Sequence, residues 1–303
     1  MQRSESAGVL FALAGFMCLS VGDAVVKTMA GMWPPTAIAA TRYLIGAIGL
    51  SALLFVRSGP TAFRPPAPAL QLLRGFGVAI ATSGFFAAVF VMPLAEATAI
   101  TFTSPMLTGL LAAVLLGEPA RRATWIATIV AFCGVLVVLR PNFVALGFAA
   151  LLPLLSALGM SLLVIGNRAV AGRASPLAMQ AFVALAALPV LLAIALTAHL
   201  SGLPALHIGT PNWSVIARCI FVACTASLAH WLIFLGTTRA GAATVAPMTY
   251  VQLIVATVLG WLLFGDTPDA ISMLGAAIIV GAGLYLWYDT RSNAIQQSRR
   301  DGA

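Results

Sequence analysis

Apolar positions along the chain are bunched into runs of about 20 residues with few charges inside them, and polar residues collect in short links between the runs. Windows of that length give ten segments, 8–29, 36–56, 72–92, 95–116, 123–140, 145–167, 177–198, 214–235, 242–264 and 271–288. An α-helix needs about 20 apolar residues to cross the hydrocarbon core of a bilayer, so the pattern predicts ten membrane-spanning helices. Only the links from Arg57 to Gln71 and from Ser201 to Asn212 have real length, and both are rich in turn-forming residues. Neither is large enough for a soluble domain. Two runs stand apart, Ala95 to Pro119 and Ala240 to Pro268, because each carries a proline within it (Pro105, Pro247) and ends in Gly followed by an acid, Gly117-Glu118 and Gly265-Asp266. A proline inside a helix frees a carbonyl one turn back, so both are expected to be interrupted helices, with Thr101, Thr103 and Ser104 near the first break.

Composition agrees with the pattern. Of 303 residues, 61% are hydrophobic and 8% charged, and the mean hydropathy is +1.03; soluble domains carry roughly a quarter charged residues. The net charge of +8 would suggest nucleic acid in a soluble protein. Here the basic residues sit mostly in the links and act as topology signals, and no nucleic-acid partner is expected. Lys27 is the single lysine, which excludes a Gly-Lys-Ser/Thr phosphate loop and with it a built-in ATPase. Cys18, Cys133, Cys219 and Cys224 are dispersed in apolar runs at no metal-binding or redox spacing, so neither metal nor cofactor is expected. Arg3 followed by an apolar run looks like a signal peptide, but the run continues through Ala24 and Val25 without a cleavage site and reads as a retained first helix.

Sorting Lys and Arg by side places Arg3, Arg57, Arg64, Arg74, Arg121, Arg122, Arg168, Arg173, Arg239, Arg291, Arg299 and Arg300 on the side of the termini. Only Lys27, Arg42, Arg140 and Arg218 fall on the other. The excess predicts cytoplasmic termini in an inner (plasma) membrane. The chain is also built twice. An offset of 141 carries Ser20, Lys27, Gly31 and Pro35 onto Ser161, Arg168, Gly172 and Pro176. An offset of 144 carries Arg74, Ser83 and Phe90 onto Arg218, Ser227 and Phe234, and one of 148 carries Glu118 onto Asp266. Five spans per half is an odd number, so the halves enter the membrane from opposite sides. The expected organisation is a repeat over 1–141, an inverted repeat over 142–289 and a cytoplasmic tail over 290–303. Inverted repeats are a transporter architecture, with the substrate site near the midplane.

Ten spans as five plus five, Lys27 near the end of the first, Arg42 early in the second and Gly-acid closings after the fourth and ninth resemble the drug/metabolite transporter superfamily, and within it an EamA-type member. The resemblance covers roughly 8–289. It implies an all-α integral membrane fold and a secondary transporter of small organic metabolites, often an exporter. It further implies a central cavity lined by spans one, three, four, six, eight and nine. Bacterial relatives that export aromatic and other neutral amino acids supply the substrate expectation, with a nucleoside, sugar derivative, organic cation or drug as alternatives and proton coupling left open. Asp266, where Glu is commoner, and Tyr250, near the position of Pro105, depart from the family pattern.

Several polar and aromatic residues inside spans are candidate substrate ligands. On the first span Phe16, Ser20, Asp23 and Lys27 share one face; a charge there points to a pathway or proton relay, or Asp23 and Lys27 pair at i and i+4. Ser83, Phe86 and Phe90 on the third span match Ser227, His230, Trp231 and Phe234 on the eighth, faces that either line a cavity for a flat ligand or pack against neighbours. His230 either binds substrate or carries a proton, or bonds a neighbouring helix. Thr101 and Ser104 beside Pro105, and Tyr250 and Gln252 after Pro247, border the two breaks; their hydroxyls either meet a ligand or bond back to their own helix. Met160 on the sixth span completes the set. Arg42 and Arg218 either attract a carboxylate or snorkel to the interface. Ala277 and Gly281 permit close helix approach, within a monomer or in a weak homodimer. An intramembrane enzyme is disfavoured, since His-Glu-x-x-His and Gly-x-Ser-x-Gly are both missing. An ion channel would want a ring of charges or a carbonyl filter. The expected partners are therefore a small-molecule substrate and the lipid bilayer.

Overall fold

A computed structural model of the chain describes residues 2–115 and 122–301. Its helices are α1 (Gln2–Lys27), α2 (Pro35–Ser58), α3 (Pro68–Val91), α4 (Leu94–Thr101), α5 (Ser104–Leu115), α6 (Arg122–Leu146), α7 (Leu152–Ala169), α8 (Pro176–Leu200), α9 (Trp213–Ala240), α10 (Ala242–Val245), α11 (Val251–Phe264) and α12 (Ala270–Asp301). No strand occurs among the described residues. Ten segments are long and apolar enough to span a membrane, α4 with α5 forming the fourth and the chain from Ala246 to Phe264 the ninth. They fall within a few residues of those the hydropathy pattern predicts. Gly117, Glu118, Pro119 and Arg121 lie outside the described residues.

Helix starts follow local chemistry. Proline occupies the first turn of α2, α3 and α8, where its missing N–H costs no hydrogen bond. Ser175 and Asn212 cap α8 and α9 through their side-chain oxygens. Asp269 caps α12, accepting the Ser272 N–H at 2.7 Å, and that hydrogen bond holds its carboxyl below the usual carboxylate range.

The packing is antiparallel and crosses between the halves. α1 lies along α9, α3 along α7, α2 beside α8, and α6 beside α12. Small residues let these backbones meet, as membrane helices require where no hydrophobic drive separates them from lipid. A Cβ at Gly77 on α3 would fall 2.8 Å from the Gly159 carbonyl oxygen on α7, and one at Gly236 on α9 would fall 2.8 Å from the Gly8 carbonyl oxygen on α1. The first span of each half is thus wedged against the third span of the other. The fold is two five-helix repeats, inverted and interleaved.

Candidate functional site

The two proline-bearing runs are broken helices, and the breaks lie together. α4 ends at Thr101 and α5 starts at Ser104, which puts Pro105 in the first turn of a new helix; Pro247 opens the 3₁₀ turn Ala246–Tyr250 that precedes α11. Both prolines therefore occupy positions that tolerate them and do not kink a continuous helix. The Phe102 and Tyr250 rings, one from each break, meet edge to face with centroids 5.4 Å apart. Phe102 and Tyr250 are as far apart in sequence as Glu118 and Asp266, so equivalent residues of the two halves touch each other.

One hydroxyl secures each break from the opposite half. Ser20 Oγ on α1 donates to the Gln252 carbonyl at 3.1 Å, and the Ser161 hydroxyl on α7 is shared between the Ser104 carbonyl at 2.9 Å and Ala157 O of its own helix at 2.8 Å. Ser20 and Ser161 are repeat mates, as are Gln252 and Ser104. The same contact is made twice, and each ties a first span to the start of the helix that follows the other half's break.

The face of the molecule away from the termini is shut. α11 ends in a left-handed glycine cap: Gly265 has φ 67°, its N–H donates to Trp261 O, and the Asp266 N–H donates to Gly260 O. That turn points the Asp266 carboxylate at Lys27, and the two form an ion pair between α1 and the end of α11. Lys27 Nζ also donates to the Met92 carbonyl at 3.1 Å and lies 4.9 Å from the Phe264 ring centroid. Lys27 is thus partnered across the halves and not with Asp23 one turn back. Arg218 donates to Thr28 O, and Trp33 Nε1 to Gly209 O, which ties further links together on this face.

Toward the termini the molecule is open. A cavity of about 650 Å³ runs from Arg42 in the first third of α2 to Arg57 at its end, past the loop holding Gly172. Its other walls carry Arg74 from α3, Asn167 from α7, Gln180 from α8, and His230, Trp231 and Phe234 from α9. The Trp231 and Phe234 rings are tilted against each other with centroids 6.1 Å apart. A second cavity of about 20 Å³, room for one water, adjoins the deep end and is lined by Asp23, Arg42 and Phe86.

The described walls come from spans two, three, six, seven and eight. Spans one, four and nine, expected in the lining, are not among them. Close glycine packing of α1 on α9 leaves span one a part only in the small cavity.

The predicted residues fall into groups. His230, Trp231 and Phe234 line the large cavity; Asp23 and Phe86 line the small one. Ser20, Ser104, Gln252 and Tyr250 surround the breaks. Thr101 Oγ1 donates back to Ala97 O at 2.9 Å, and the Gln252 side chain accepts from Thr249. Phe90 packs against the core, Met160 is half-buried, and Ser83 Oγ is buried without a hydrogen-bond partner among the described residues. Lining residues that sequence reasoning did not select are Tyr43, Arg57, Arg74, Asn167 and Gln180. Arg74 read as a topology charge, yet it is 4% exposed. A signal was available in its position, since Gln71 and Arg74 stand one turn apart inside an apolar run. Among the described residues no cluster of His, Cys, Asp and Glu could hold a metal.

Comparison with known proteins places this arrangement. The EamA-like transporter family matches residues 6–140 and again 147–288. The chain is similar to a riboflavin transporter of Rhizobium johnstonii, 29% identical over 92% of this chain and 90% of that one. It is also similar to an S-adenosylmethionine uptake transporter of Rickettsia prowazekii, 23% identical over 94% of both, and to the pseudopaline exporter CntI of Pseudomonas aeruginosa, 27% identical over 92% and 95%. One solved crystal structure aligns with a TM-score of 0.60 at 20% identity over 93% of this chain and 97% of that one. At that identity it speaks to the fold alone.

Proposed function

This chain belongs to the EamA-like transporter family, and from that premise we propose that it is a secondary carrier moving a flat, ring-bearing metabolite by alternating access between its two inverted repeats, 1–141 and 142–289. The observation that carries this reading is the asymmetry of the central space. A cavity of about 650 Å³ opens toward the termini, while the Lys27–Asp266 ion pair bridges the halves on the other face. One face open and the other latched is the arrangement of a carrier caught in one of its two states. With the termini in the cytoplasm, as the excess of Lys and Arg on that side supports, the open state faces inward.

The ring-bearing character of the cargo is supported by Trp231 and Phe234 in the wall and by relatives named for riboflavin and S-adenosylmethionine. Export of an aromatic or other neutral amino acid is the second reading. The tilted Trp231–Phe234 pair favours it, because an indole or phenyl side chain stacks there at the separation the two rings already keep.

Counterflow in liposomes containing only this protein separates the two. Trans-stimulated exchange of a labelled flavin, riboflavin or its 5′-phosphate, over tryptophan and phenylalanine is the expected result. Exchange of the amino acids alone selects the second reading, and no saturable exchange of any of them rejects carrier transport of ring-bearing cargo.

A further inference from the structure

The described walls of the large cavity carry three guanidinium groups and no carboxylate: Arg57 at the mouth, Arg74 on α3 and Arg42 at the deep end. Guanidinium stays charged at any physiological pH. The three arginines differ in what already holds them. Arg74 is engaged at every nitrogen, with Nε donating to Asn167 Oδ1 at 2.6 Å, one terminal nitrogen to Gln71 Oε1 and the other to the Met179 carbonyl at 3.3 Å. Arg57 is exposed at the end of α2. Arg42 is half-buried in the first third of α2, and among the described residues its N–H groups donate to no protein acceptor. Its guanidinium is instead cradled by rings, 4.7 Å from the Tyr43 centroid and 5.6 Å from that of Phe86. The Tyr43 hydroxyl is itself fixed by the Thr82 hydroxyl at 3.2 Å. Asp23, across the small cavity, is the sole acid near this end among the described lining residues; its charge and that of Arg42 attract each other, but the two form no ion pair within 4.0 Å.

A guanidinium held on aromatic faces inside a membrane span, with its N–H fork donating to no protein acceptor, is built to receive an acceptor that arrives and leaves. Resting on the carrier reading above, we infer that the cargo carries an anionic group, a carboxylate or a phosphate, that docks on Arg42 while its ring system lies along Trp231 and Phe234. Arg57 and Arg74 supply the positive field that draws the anion from the mouth to the deep end. Counting Asp23 against the three arginines leaves the site with a net positive charge. A cationic cargo meets repulsion and has no carboxylate to pair with, which sets this chain apart from a carrier of organic cations.

The test compares molecules that share a ring and differ in charge, bound to the purified protein in nanodiscs and exchanged by it in liposomes. One set is riboflavin 5′-phosphate against riboflavin; the other is indole-3-propionate, tryptophan and tryptamine. Tighter binding of the anion by about tenfold, as a charge-assisted hydrogen bond supplies, is expected in at least one set. The flavin pair reports a phosphate and the indole series a carboxylate. In Arg42→Gln the anion-to-neutral ratio falls toward one, and in Arg42→Lys it stays above one because the charge remains. Equal binding across charge in the wild type, preference for tryptamine, or binding of no compound overturns the inference, and so does an unchanged ratio in Arg42→Gln. Anion-selective binding without exchange supports the docking of an anion at Arg42 and rejects the carrier reading. Exchange without charge preference does the reverse.

Discussion

Lys27 shows how one side chain acquires a role that its own helix does not assign. Its helical neighbour at i−4 is Asp23, yet its ammonium reaches the end of α11, where the Gly265 turn presents Asp266. Removing one partner leaves the other charge uncompensated in a partly buried place, which costs more than the pair contributes. Asp266→Asn is therefore expected to loosen the closed face. In a cysteine-free background carrying Ala226→Cys, which lines both cavities, labelling by a membrane-impermeant maleimide from the face away from the termini should rise several-fold. The exchange Lys27→Asp with Asp266→Lys should restore the slow rate; labelling that ignores all of these changes would remove the latch. Arg74 acts differently, as a strut between α3, α7 and α8. Arg74→Ala strands the Asn167 and Gln71 side chains and should cost about 1–3 kcal/mol, read as a lower midpoint of thermal unfolding. Arg74→Lys should not recover it, because an ammonium cannot reach three acceptors in the geometry of the guanidinium fork.

Among the elements, the broken helices and the spans wedged against them carry the device. Ser20 and Ser161 each donate to one carbonyl at the other half's break. Ser20→Ala and Ser161→Ala should each destabilise by about 0.5–1.5 kcal/mol and add in the double variant, since separate contacts add when they share no partner. A strongly non-additive double variant would mean that the breaks behave as one unit. Backbone contact between α3 and α7 sets a harder limit. A Cβ at Gly77 would lie 2.8 Å from both the Gly159 carbonyl oxygen and the Leu163 nitrogen; neither can yield as a side chain does. Gly77→Val should force the helices apart and sharply lower the yield of monodisperse protein in detergent, whereas Gly46→Ala, with nothing within 4 Å, should leave it unchanged.

For the whole molecule, the large cavity that enters from one face and the Lys27–Asp266 latch on the other are what the carrier reading rests on. The open face is the one rich in Lys and Arg, so a protease site placed at the C-terminus should be protected in intact cells and cleaved only after the membrane is opened. Cleavage in intact cells would reverse the orientation and make the cavity outward-facing.

The ten spans, their inverted duplication and the sidedness of charge were legible in the residue order, because crossing a bilayer imposes apolar runs whose length and flanking charges are local properties. His230, Trp231 and Phe234 were legible as well, since helical spacing alone puts them on one face. Which faces look inward was not local. Tyr43, Arg74, Asn167 and Gln180 come from four helices and share a wall only because inverted halves interleave, so that α3 packs on α7 and α2 beside α8. The opposed fates of Lys27 and Arg42 were decided the same way. Both are cations inside apolar helices; one meets a carboxylate 239 residues away in an ion pair, and the other finds two aromatic rings, an open cavity and Asp23 only across a gap. Sequence determines that a charge must be compensated in the membrane, and only the tertiary arrangement determines whether the protein supplies the partner or leaves the place to its cargo.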